Sequence, residues 1–385
     1  MKIFNANIYL GKGSYGLGWV EVLNGKVANV GFDIPDTIDG DLDAKGGILM
    51  AGFIDAHTHI GIMEDGLDFE GDDCNEQSDP CTPHLRAIDG INPFDRCFNE
   101  AINRGITTAI VSPGSANPIG GQIVAIKTVG KCIDDMVIKT VAIKFALGEN
   151  PKRVYNDRDE TPMTRMATVG IIRETLFKAK RYMQDVDKHT NNPEDYDLPE
   201  FDIKLEALIP LLKREVKAHF HCHRADDICT AIRITKEFNL DSVIVHGTDG
   251  YMVSDIIARE GIPVICGPII CDRCKPEMKG LDVKNPSVLA QDGVNVAICT
   301  DHSVIPIQYL PTSVLMAIKG GLDTDIAIDT ITCNSADIIG IADRVGSIKV
   351  GLDADLQLYD SNPLDVLSEP ILVMVDGVVV KDTMV

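Results

Sequence analysis

The pattern of apolar and polar positions divides the chain into three parts. Residues 1–50 contain short, alternating apolar runs separated by glycines, which predict β-strands joined by tight turns. Residues 345–385 have the same pattern, and Asp376-Gly377 between two β-branched runs predicts a hairpin. A β module this small cannot bury both of its faces alone. We therefore expect residues 1–50 and 345–385 to pair into one β-sandwich.

The middle of the chain, residues 51–344, alternates apolar strand-like runs with helical patterns. The predicted strands are Phe53–His57, Thr107–Ser112, Ile123–Thr128, Val141–Leu147, Lys217–His221, Ser242–His246, Pro263–Cys266 and Val294–Thr300. Helices are predicted after the fifth strand, with Ile228 and Phe238 on one stripe, and through Ile171–Tyr182. Eight parallel strands interleaved with helices favour an α/β fold of the (β/α)8 TIM-like barrel class. An open doubly wound sheet is less favoured, because no Gly-x-Gly-x-x-Gly turn follows a strand.

Composition narrows the possible partners and the compartment. Asp and Glu number 58 against 36 Lys and Arg, and the net charge of −22 disfavours nucleic acid or an anionic membrane as a partner. Neither a secretory signal nor a membrane span is recognisable. The 11 cysteines are scattered and mostly lie in apolar runs, as in a reducing compartment. We expect a cytoplasmic protein that binds a small molecule, and a homo-oligomer.

Histidines gather where the predicted strands end. His57 and His59 follow the first strand and share one face of it, since side chains alternate along a strand. Further histidines close the fifth and sixth strands, and Asp301 with His302 follows the eighth. In a barrel these strand ends lie at one rim, where catalytic loops gather. Imidazole and carboxylate groups placed there predict a site for zinc or a similar ion.

This arrangement resembles the metal-dependent amidohydrolase superfamily. The match covers nearly the whole chain: bracketing β segments, His-x-His after strand one, His after strands five and six, and Asp after strand eight. The resemblance implies His57, His59, His221, His246 and Asp301 as metal ligands, with Zn²⁺ the first candidate and Fe or Mn possible. The register after strand five is open: His221 is preferred, His223 then contacts substrate, and His219 is a core residue.

The resemblance also implies a carboxylate or carbamylated lysine after strand three or four, and one or two metal ions. Glu149, just past strand four, is preferred over Lys144, which lies within the strand. Zn²⁺ lowers the pKa of bound water to about 7. Asp301 is expected to take the proton of this water and pass it to the leaving nitrogen, with His302 beside it.

Substrate signals are weaker. Arg153 and Arg224 follow strands four and five, where guanidinium groups suit a substrate carboxylate or phosphate. The resemblance favours the imidazolonepropionase-related branch, and hence hydrolysis of a C–N bond in a cyclic amide, a cyclic imine or a small amide, with His223, Arg224, Arg153 and His302 at the substrate. The alternatives are a deacetylase like that of N-acetylglucosamine 6-phosphate, or a catalytically silent binding protein with this fold.

Overall fold

The computed structural model of the protein describes residues 1–384. Its strands are β1 (Lys2–Gly11), β2 (Ser14–Leu23), β3 (Lys26–Gly31), β4 (Leu42–Asp43), β5 (Ile48–Ala51), β6 (Phe53–Thr58), β7 (Ile106–Val111), β8 (Ile119–Lys127), β9 (Val137–Ala146), β10 (Lys217–Cys222), β11 (Ser242–His246), β12 (Val264–Cys266), β13 (Val296–Ile298), β14 (Leu356–Tyr359), β15 (Leu372–Val375) and β16 (Val378–Asp382).

The α-helices are α1 (Arg96–Asn103), α2 (Ile133–Met136), α3 (Glu149–Asn156), α4 (Arg165–Asn191), α5 (Ile203–Glu206), α6 (Ile209–Leu212), α7 (Ala225–Phe238), α8 (Ser254–Glu260), α9 (Asn285–Gln291), α10 (Leu310–Lys319), α11 (Thr324–Ala327) and α12 (Cys333–Ile339). Short 3₁₀ turns include Pro276–Met278 and Ile307–Tyr309. No helix within residues 1–384 is both long and apolar enough to cross a membrane.

Strands β6 to β13 form one eight-stranded sheet in sequential order. The backbone N–H of His59 donates to the carbonyl oxygen of His302 at 2.7 Å. The backbone N–H of Asp301 donates to the carbonyl oxygen of His57 at 3.1 Å. These bonds join the chain after β13 to the end of β6, so the sheet nearly closes into a barrel. The interior is filled by small and branched side chains from facing strands, such as Ile54, Ile110, Val245 and Ala297. The expected barrel is confirmed.

One strand departs from the expected pattern. The third barrel strand, β8, runs antiparallel to both neighbours, so the prediction of eight parallel strands is wrong at this position. The connection from β7 is only the short loop that ends at Ile119, and β9 follows after one brief helix, α2. A parallel neighbour needs a crossover of a dozen or more residues, whereas an antiparallel one is reached directly.

The predicted helices are present. Helix α7 buries Ile228, Ala231 and Phe238 against the barrel, as its stripe predicted. Helix α4 covers the predicted Ile171–Tyr182 and extends well beyond it in both directions. Its apolar stripe ends near Ala179, and the continuation to Asn191 is largely exposed. The sequence pattern therefore located the buried part of α4 but not its full length.

The chain ends form a second sheet, in the order β16-β15-β14-β5-β1-β2-β3, with β4 beside β1. Ile8, Val20, Leu358 and Met374, from four of its strands, share one buried cluster, so the sheet curls around a core of its own. The predicted hairpin lies between β15 and β16, and both turn residues have positive φ, 48° at Asp376 and 76° at Gly377. This conformation suits an Asp-Gly pair.

A buried cluster of charges joins the two sheets. Lys127, at the end of β8, is almost fully buried, and its Nζ lies 3.1 Å from Asp353 and 2.7 Å from Asp355. Asp353 also pairs with Lys26 and, at 2.8 Å, with Arg344. Burial raises the pKa of the Asp353 carboxyl, but Arg344 and the two lysines outweigh burial and lower the pKa to about 2. Asp353 thus contributes stability as an ionised group.

Candidate metal centre

The rim of the barrel collects the histidines predicted from strand ends. His57 lies near the end of β6, His221 is the penultimate residue of β10, and His246 is the final residue of β11. All three are at most 4% exposed. The two backbone bonds across the closing seam of the barrel hold Asp301 beside His57 and His59. Polar side chains at the ends of β6, β10 and β11 and after β13 therefore lie close together, because these strand ends are at the same rim of the barrel.

Two overlapping sets of side chains have ligand atoms close enough to share an ion. One set is His57, His246 and Asp301, and the other is His221, His223 and His246, with all ligand atoms in each set within 4.8 Å of one another. Asp301 Oδ1 is 3.5 Å from His57 Nε2 and 3.4 Å from His59 Nε2. Donor atoms bound at about 2.1 Å in a tetrahedral arrangement are about 3.4 Å apart. The distances from Asp301 Oδ1 to His57 and His59 match this spacing.

Hydrogen bonds to the outer ring nitrogens orient these imidazoles. His59 Nδ1 lies 2.6 Å from the carbonyl oxygen of Ser112, and His246 Nδ1 lies 2.7 Å from that of Gly267. Since a carbonyl oxygen only accepts, each Nδ1 carries a hydrogen, and each Nε2 is the ring nitrogen left to face the centre. A backbone carbonyl that holds a histidine in this way is typical of metal ligands. The donor set therefore fits a divalent ion.

The charge states are set by burial and by close neighbours. Burial, followed by the charge of Lys144, lowers the pKa of His57 well below its usual value. Burial also lowers the pKa of His59, but Cys74 and Asp301 outweigh it and raise the pKa to about 10. Burial raises the pKa of Asp301, but His246 and His59 outweigh it and lower the pKa. Asp301 is thus an ionised carboxylate among imidazoles.

Lys144 and Glu149 occupy different surroundings. Lys144 is 1% exposed, and its Nζ lies 3.4 Å from His57 Nε2 and 3.3 Å from Ser112 Oγ. Burial lowers the pKa of this amine to about 8. Glu149 begins α3, and its Oε2 accepts a hydrogen bond from the backbone N–H of Glu277 at 3.3 Å. Within residues 1–384, Glu149 belongs to neither ligand set, so the structure does not bring the preferred carboxylate to the histidines.

No pattern in the sequence marks Glu277. This residue lies in the 3₁₀ turn Pro276–Met278, in a polar loop after β12, yet it is 1% exposed. Its Oε1 lies 3.7 Å from Nε2 of both His221 and His223. No apolar run precedes it, so it does not stand at a recognisable strand end. Asp55 was missed too: it is buried in β6, and it accepts a hydrogen bond from Thr300 Oγ1 at 2.5 Å beside the seam.

A cavity of about 320 Å³ opens onto the rim, and it brings together only some of the predicted substrate contacts. His223 and Arg153 line the cavity together with Asn150 and Lys275. Arg224 does not line it: its guanidinium is held by Asp226, with Nε 2.8 Å from the carboxylate.

His302 also lies outside this cavity. It is 3% exposed, and its Nδ1 accepts a hydrogen bond from the backbone N–H of Ile307 at 3.1 Å, so it packs behind Asp301. His219, expected in the core, is fully buried with neither ring nitrogen hydrogen-bonded. Its neighbours across the sheet are Lys144 and Val243, and burial lowers its pKa to about 3.

Comparison with known proteins identifies the fold family. The profile of the amidohydrolase family matches residues 48–385. The chain belongs to the amidohydrolase family. This confirms the resemblance at the level of the superfamily, while the imidazolonepropionase-related branch stays a prediction.

Similar proteins agree with this amidohydrolase fold. An amidohydrolase from Thermotoga maritima is 40% identical, with a TM-score of 0.94 and 99% of each chain covered. Amidohydrolase tasK of Hapsidospora irregularis is 31% identical over 87% of this chain, which spans only 36% of the length of that relative. A 5'-deoxyadenosine deaminase of Methanobrevibacter smithii is 22% identical over 90% of this chain and 80% of its own length.

Proposed function

We propose that this amidohydrolase is a metal-dependent hydrolase that uses an activated water to cleave a C–N bond in a cyclic amide, a cyclic imine or a small amide. One observation carries the proposal: His57, His246 and Asp301 meet at the barrel rim with ligand atoms close enough to share one ion, and His59 Nε2 lies 3.4 Å from Asp301. The oriented imidazole nitrogens and one carboxylate are donor types that suit Zn²⁺, with Fe²⁺ or Mn²⁺ as alternatives.

A bound ion of this kind lowers the pKa of water to about 7 and polarises a carbonyl or imine carbon. The side chains perform the remaining steps. Asp301 is ionised and faces the cavity, so it is placed to take a proton from water and return it to the leaving nitrogen. His223 also lines the cavity, where it is placed to donate to a substrate oxygen.

Lys144 is the better candidate for the extra anionic ligand. Its amine lies 3.4 Å from His57 Nε2, whereas Glu149 bonds to the loop that carries Glu277. If the Lys144 amine attacks CO₂, a C–N bond forms, one proton leaves, and the resulting carbamate carries the negative charge toward His57. We therefore propose carbamylated Lys144, in place of Glu149, as the ligand contributed after the fourth barrel strand.

The substrate is proposed to carry an anionic group. Arg153 lines the cavity, and no ion pair holds it within residues 1–384, in contrast to Arg224. Lys275 Nζ lies 3.2 Å from Asn150 Oδ1 and adds a second positive charge to the same wall. A guanidinium without a partner in a strongly acidic protein suits a substrate carboxylate. As the finer assignment, we propose an activity like that of imidazolonepropionase on a substrate of this class.

The cysteines support a proposal for the compartment. All 11 are free thiols in the structure, including Cys97, Cys222 and Cys299 in the buried core. Persistently reduced thiols are typical of the cytoplasm, which we propose as the location.

The activity test uses purified full-length protein stripped of metal and reconstituted with Zn²⁺, Fe²⁺ or Mn²⁺. Carboxylated lactams, cyclic imines, N-acyl amino acids and aminated nucleosides form the substrate panel, and release of ammonia separates deamination from ring opening or acyl cleavage. We expect turnover only with metal and only with members of this panel. Equal turnover by the stripped protein and by the reconstituted protein would contradict the proposal.

A further inference from the structure

A second cavity lies directly beside the catalytic one. It has a volume of about 440 Å³, and Arg153 lines both cavities, so the two share a wall. Four segments that are distant in sequence enclose it: helix α3, the start of α4, the residue before α7 and the loop after β12. None of the residues assigned to the metal centre lines it. The fold thus builds a separate pocket next to the site of the proposed chemistry.

The charge at this pocket is opposite in sign to that of the protein as a whole. The chain carries a net charge of −22. The pocket is nevertheless lined by four cationic residues, Lys152, Arg153, Arg165 and Arg224. A cleft lined by charges of one sign concentrates ions of the other sign. This pocket therefore favours an anion.

The two acidic residues at the wall are engaged by backbone donors. Glu277 is 1% exposed, and its Oε2 accepts a hydrogen bond from the backbone N–H of Glu149 at 2.9 Å. In return, Glu149 Oε2 accepts a hydrogen bond from the backbone N–H of Glu277 at 3.3 Å. The two carboxylates thus fasten the loop after β12 to the start of α3, and neither forms an ion pair with the cationic residues of the pocket within residues 1–384.

Carboxylates outside the pocket hold two of its arginines in place. Arg165 binds Asp227 through Nε and Nη2, at 2.8 and 3.0 Å. Arg224 binds Asp226 through the same two nitrogens, at 2.8 and 2.9 Å. Neither aspartate lines the pocket, and each guanidinium keeps the hydrogens of Nη1 for a further acceptor. The hydrogen bonds with Asp227 raise the pKa of Arg165, whereas the like charge of Arg224 lowers it, so the two guanidinium groups are close enough to repel each other.

Lys152 adds a positive charge that no acidic group balances. Its ammonium group has neither an ion pair nor a hydrogen bond within residues 1–384. Helix α3, which carries it, is anchored by Tyr155, whose side chain is fully buried and whose hydroxyl donates to Asn117 Oδ1 at 2.7 Å. The lysine therefore projects from a fixed support beside the two oriented guanidinium groups.

We infer that this pocket binds a phosphate group, with Lys152, Arg165 and Arg224 as its donors. A phosphate monoester carries a charge of about −1.5 to −2 near neutral pH and has three acceptor oxygens, so it accepts hydrogen bonds from several sides. A carboxylate, by contrast, is satisfied by a single guanidinium group. Such a site goes beyond the proposed hydrolysis and is independent of it, because binding requires neither the metal nor turnover.

The test is phosphate binding by the full-length protein. Protein reconstituted with Zn²⁺ and freed of unbound metal is titrated by calorimetry with inorganic phosphate and, separately, with glycerol 3-phosphate. We expect one site per chain that persists when the zinc is removed. Tighter binding of the ester identifies a phosphorylated small molecule as the ligand, and otherwise the free ion is the ligand. Binding that requires zinc would place the anion at the metal centre and overturn the inference.

Three variants locate the site. Lys152→Gln should weaken binding of both probes by at least about tenfold, the effect of losing a charge-assisted hydrogen bond, and it leaves no carboxylate unpaired. Arg165→Gln should weaken binding as much, with circular dichroism to check the fold after loss of the pair with Asp227. Arg86→Gln is the matched control: Asp89 binds that guanidinium through Nε and Nη2, but Arg86 lies outside the pocket, so affinity should not change.

The remaining outcomes are decisive in the same way. Absence of phosphate binding by the wild type, or unchanged affinity in Lys152→Gln, would overturn the inference. An equal loss in Lys152→Gln and Arg86→Gln would also overturn it, since diffuse surface charge would then explain the binding. If Arg165→Gln does not fold, Lys152→Gln decides. A wild type that binds phosphate but hydrolyses no member of the substrate panel would overturn the proposed function alone.

Discussion

The backbone N–H of Asp301 donates a hydrogen bond to the carbonyl oxygen of His57 across 3.1 Å. This bond closes the barrel between the first and last of its strands, and the same seam includes the bond from His59 to His302. Because it fixes the Asp301 backbone relative to both histidines, the carboxylate stays within 3.5 Å of their Nε2 atoms. The same backbone hydrogen bonds therefore close the barrel and bring Asp301 beside His57 and His59.

Asp301→Asn should lower kcat by about 10²–10⁴-fold, because the amide cannot accept the proton from water. The backbone bond to His57 does not depend on the side chain, so the variant should fold. The measurement is kcat on the metal-reconstituted protein, with zinc content and circular dichroism alongside. His302→Gln is the comparison: it lies behind the cavity, and a loss of kcat as large as that of Asp301→Asn would contradict the assigned roles.

Lys144→Gln should lose activity and the ion at the His57 position, because the amide cannot form a carbamate. Wild-type protein supplied with ¹³C-bicarbonate should show a carbamate carbonyl signal by NMR, and this signal should vanish in the variant. The variant Ile143→Val, which removes one methylene group from the neighbouring core residue, should keep both the signal and the activity. A wild-type protein with full metal content and no carbamate signal would show that Lys144 acts as a free amine.

Arg153→Gln should raise KM for a carboxylated substrate with little change in kcat, because the side chain lines the cavity without an ion-pair partner. The loss of a charge-assisted hydrogen bond corresponds to about 1.5–3 kcal/mol, or roughly 10–150-fold. Arg224→Gln is the matched control, since Asp226 already holds that guanidinium. Steady-state kinetics with a carboxylated substrate and its amide analogue measure the difference. The same KM increase in both variants would contradict the assignment of Arg153.

Asp353→Asn should destabilise the protein by about 2 kcal/mol near neutral pH, from a pKa of about 2 in the folded chain against the ordinary value of 3.8. Because the folded pKa is the lower one, this stability is present above pH 3.8 and is lost as the pH falls through about 2. Urea unfolding across this pH range measures the unfolding free energy. In the variant, this free energy should fall less steeply as the pH is lowered. The surface pair is the control: Asp185→Asn removes an exposed partner of Lys188 and should change stability by less than about 1 kcal/mol.

Gly148→Ala should disturb the loop that carries Glu277. Gly148 has φ of +81°, and an added Cβ would lie 2.8 Å from Glu277 Oε2 and 3.1 Å from Asp227 Oδ2. We expect a loss of roughly 1–3 kcal/mol in unfolding free energy, from backbone strain and displacement of the carboxylate. Gly170→Ala, in the middle of α4 with open space around it, should instead stabilise by up to about 1 kcal/mol. Thermal melts report both effects, and an unchanged stability of Gly148→Ala would contradict the strain assigned to this position.

The sequence alone determined the barrel, the pairing of the two chain ends into one β unit and the rim position of His57, His221, His246 and Asp301. That this β unit is a single curled sheet was not predicted. Apolar runs report burial, and a polar residue at the end of such a run marks a strand end, so local pattern was sufficient. The roles of these residues as metal ligands stay predictions.

Only the tertiary structure decided the direction of β8 and the surroundings of Lys144 and Glu149. An apolar run has the same pattern in either direction, and two groups near the same strand end differ only in which way their side chains point. Glu277 was equally invisible, since a loop carries no periodicity and its contacts come from residues distant in sequence. The pairing of Arg224 with Asp226 depends on side-chain directions at the start of α7, which periodicity does not encode either. Periodicity encodes which face of an element is buried, whereas a binding site depends on distances between elements, and folding alone sets those distances.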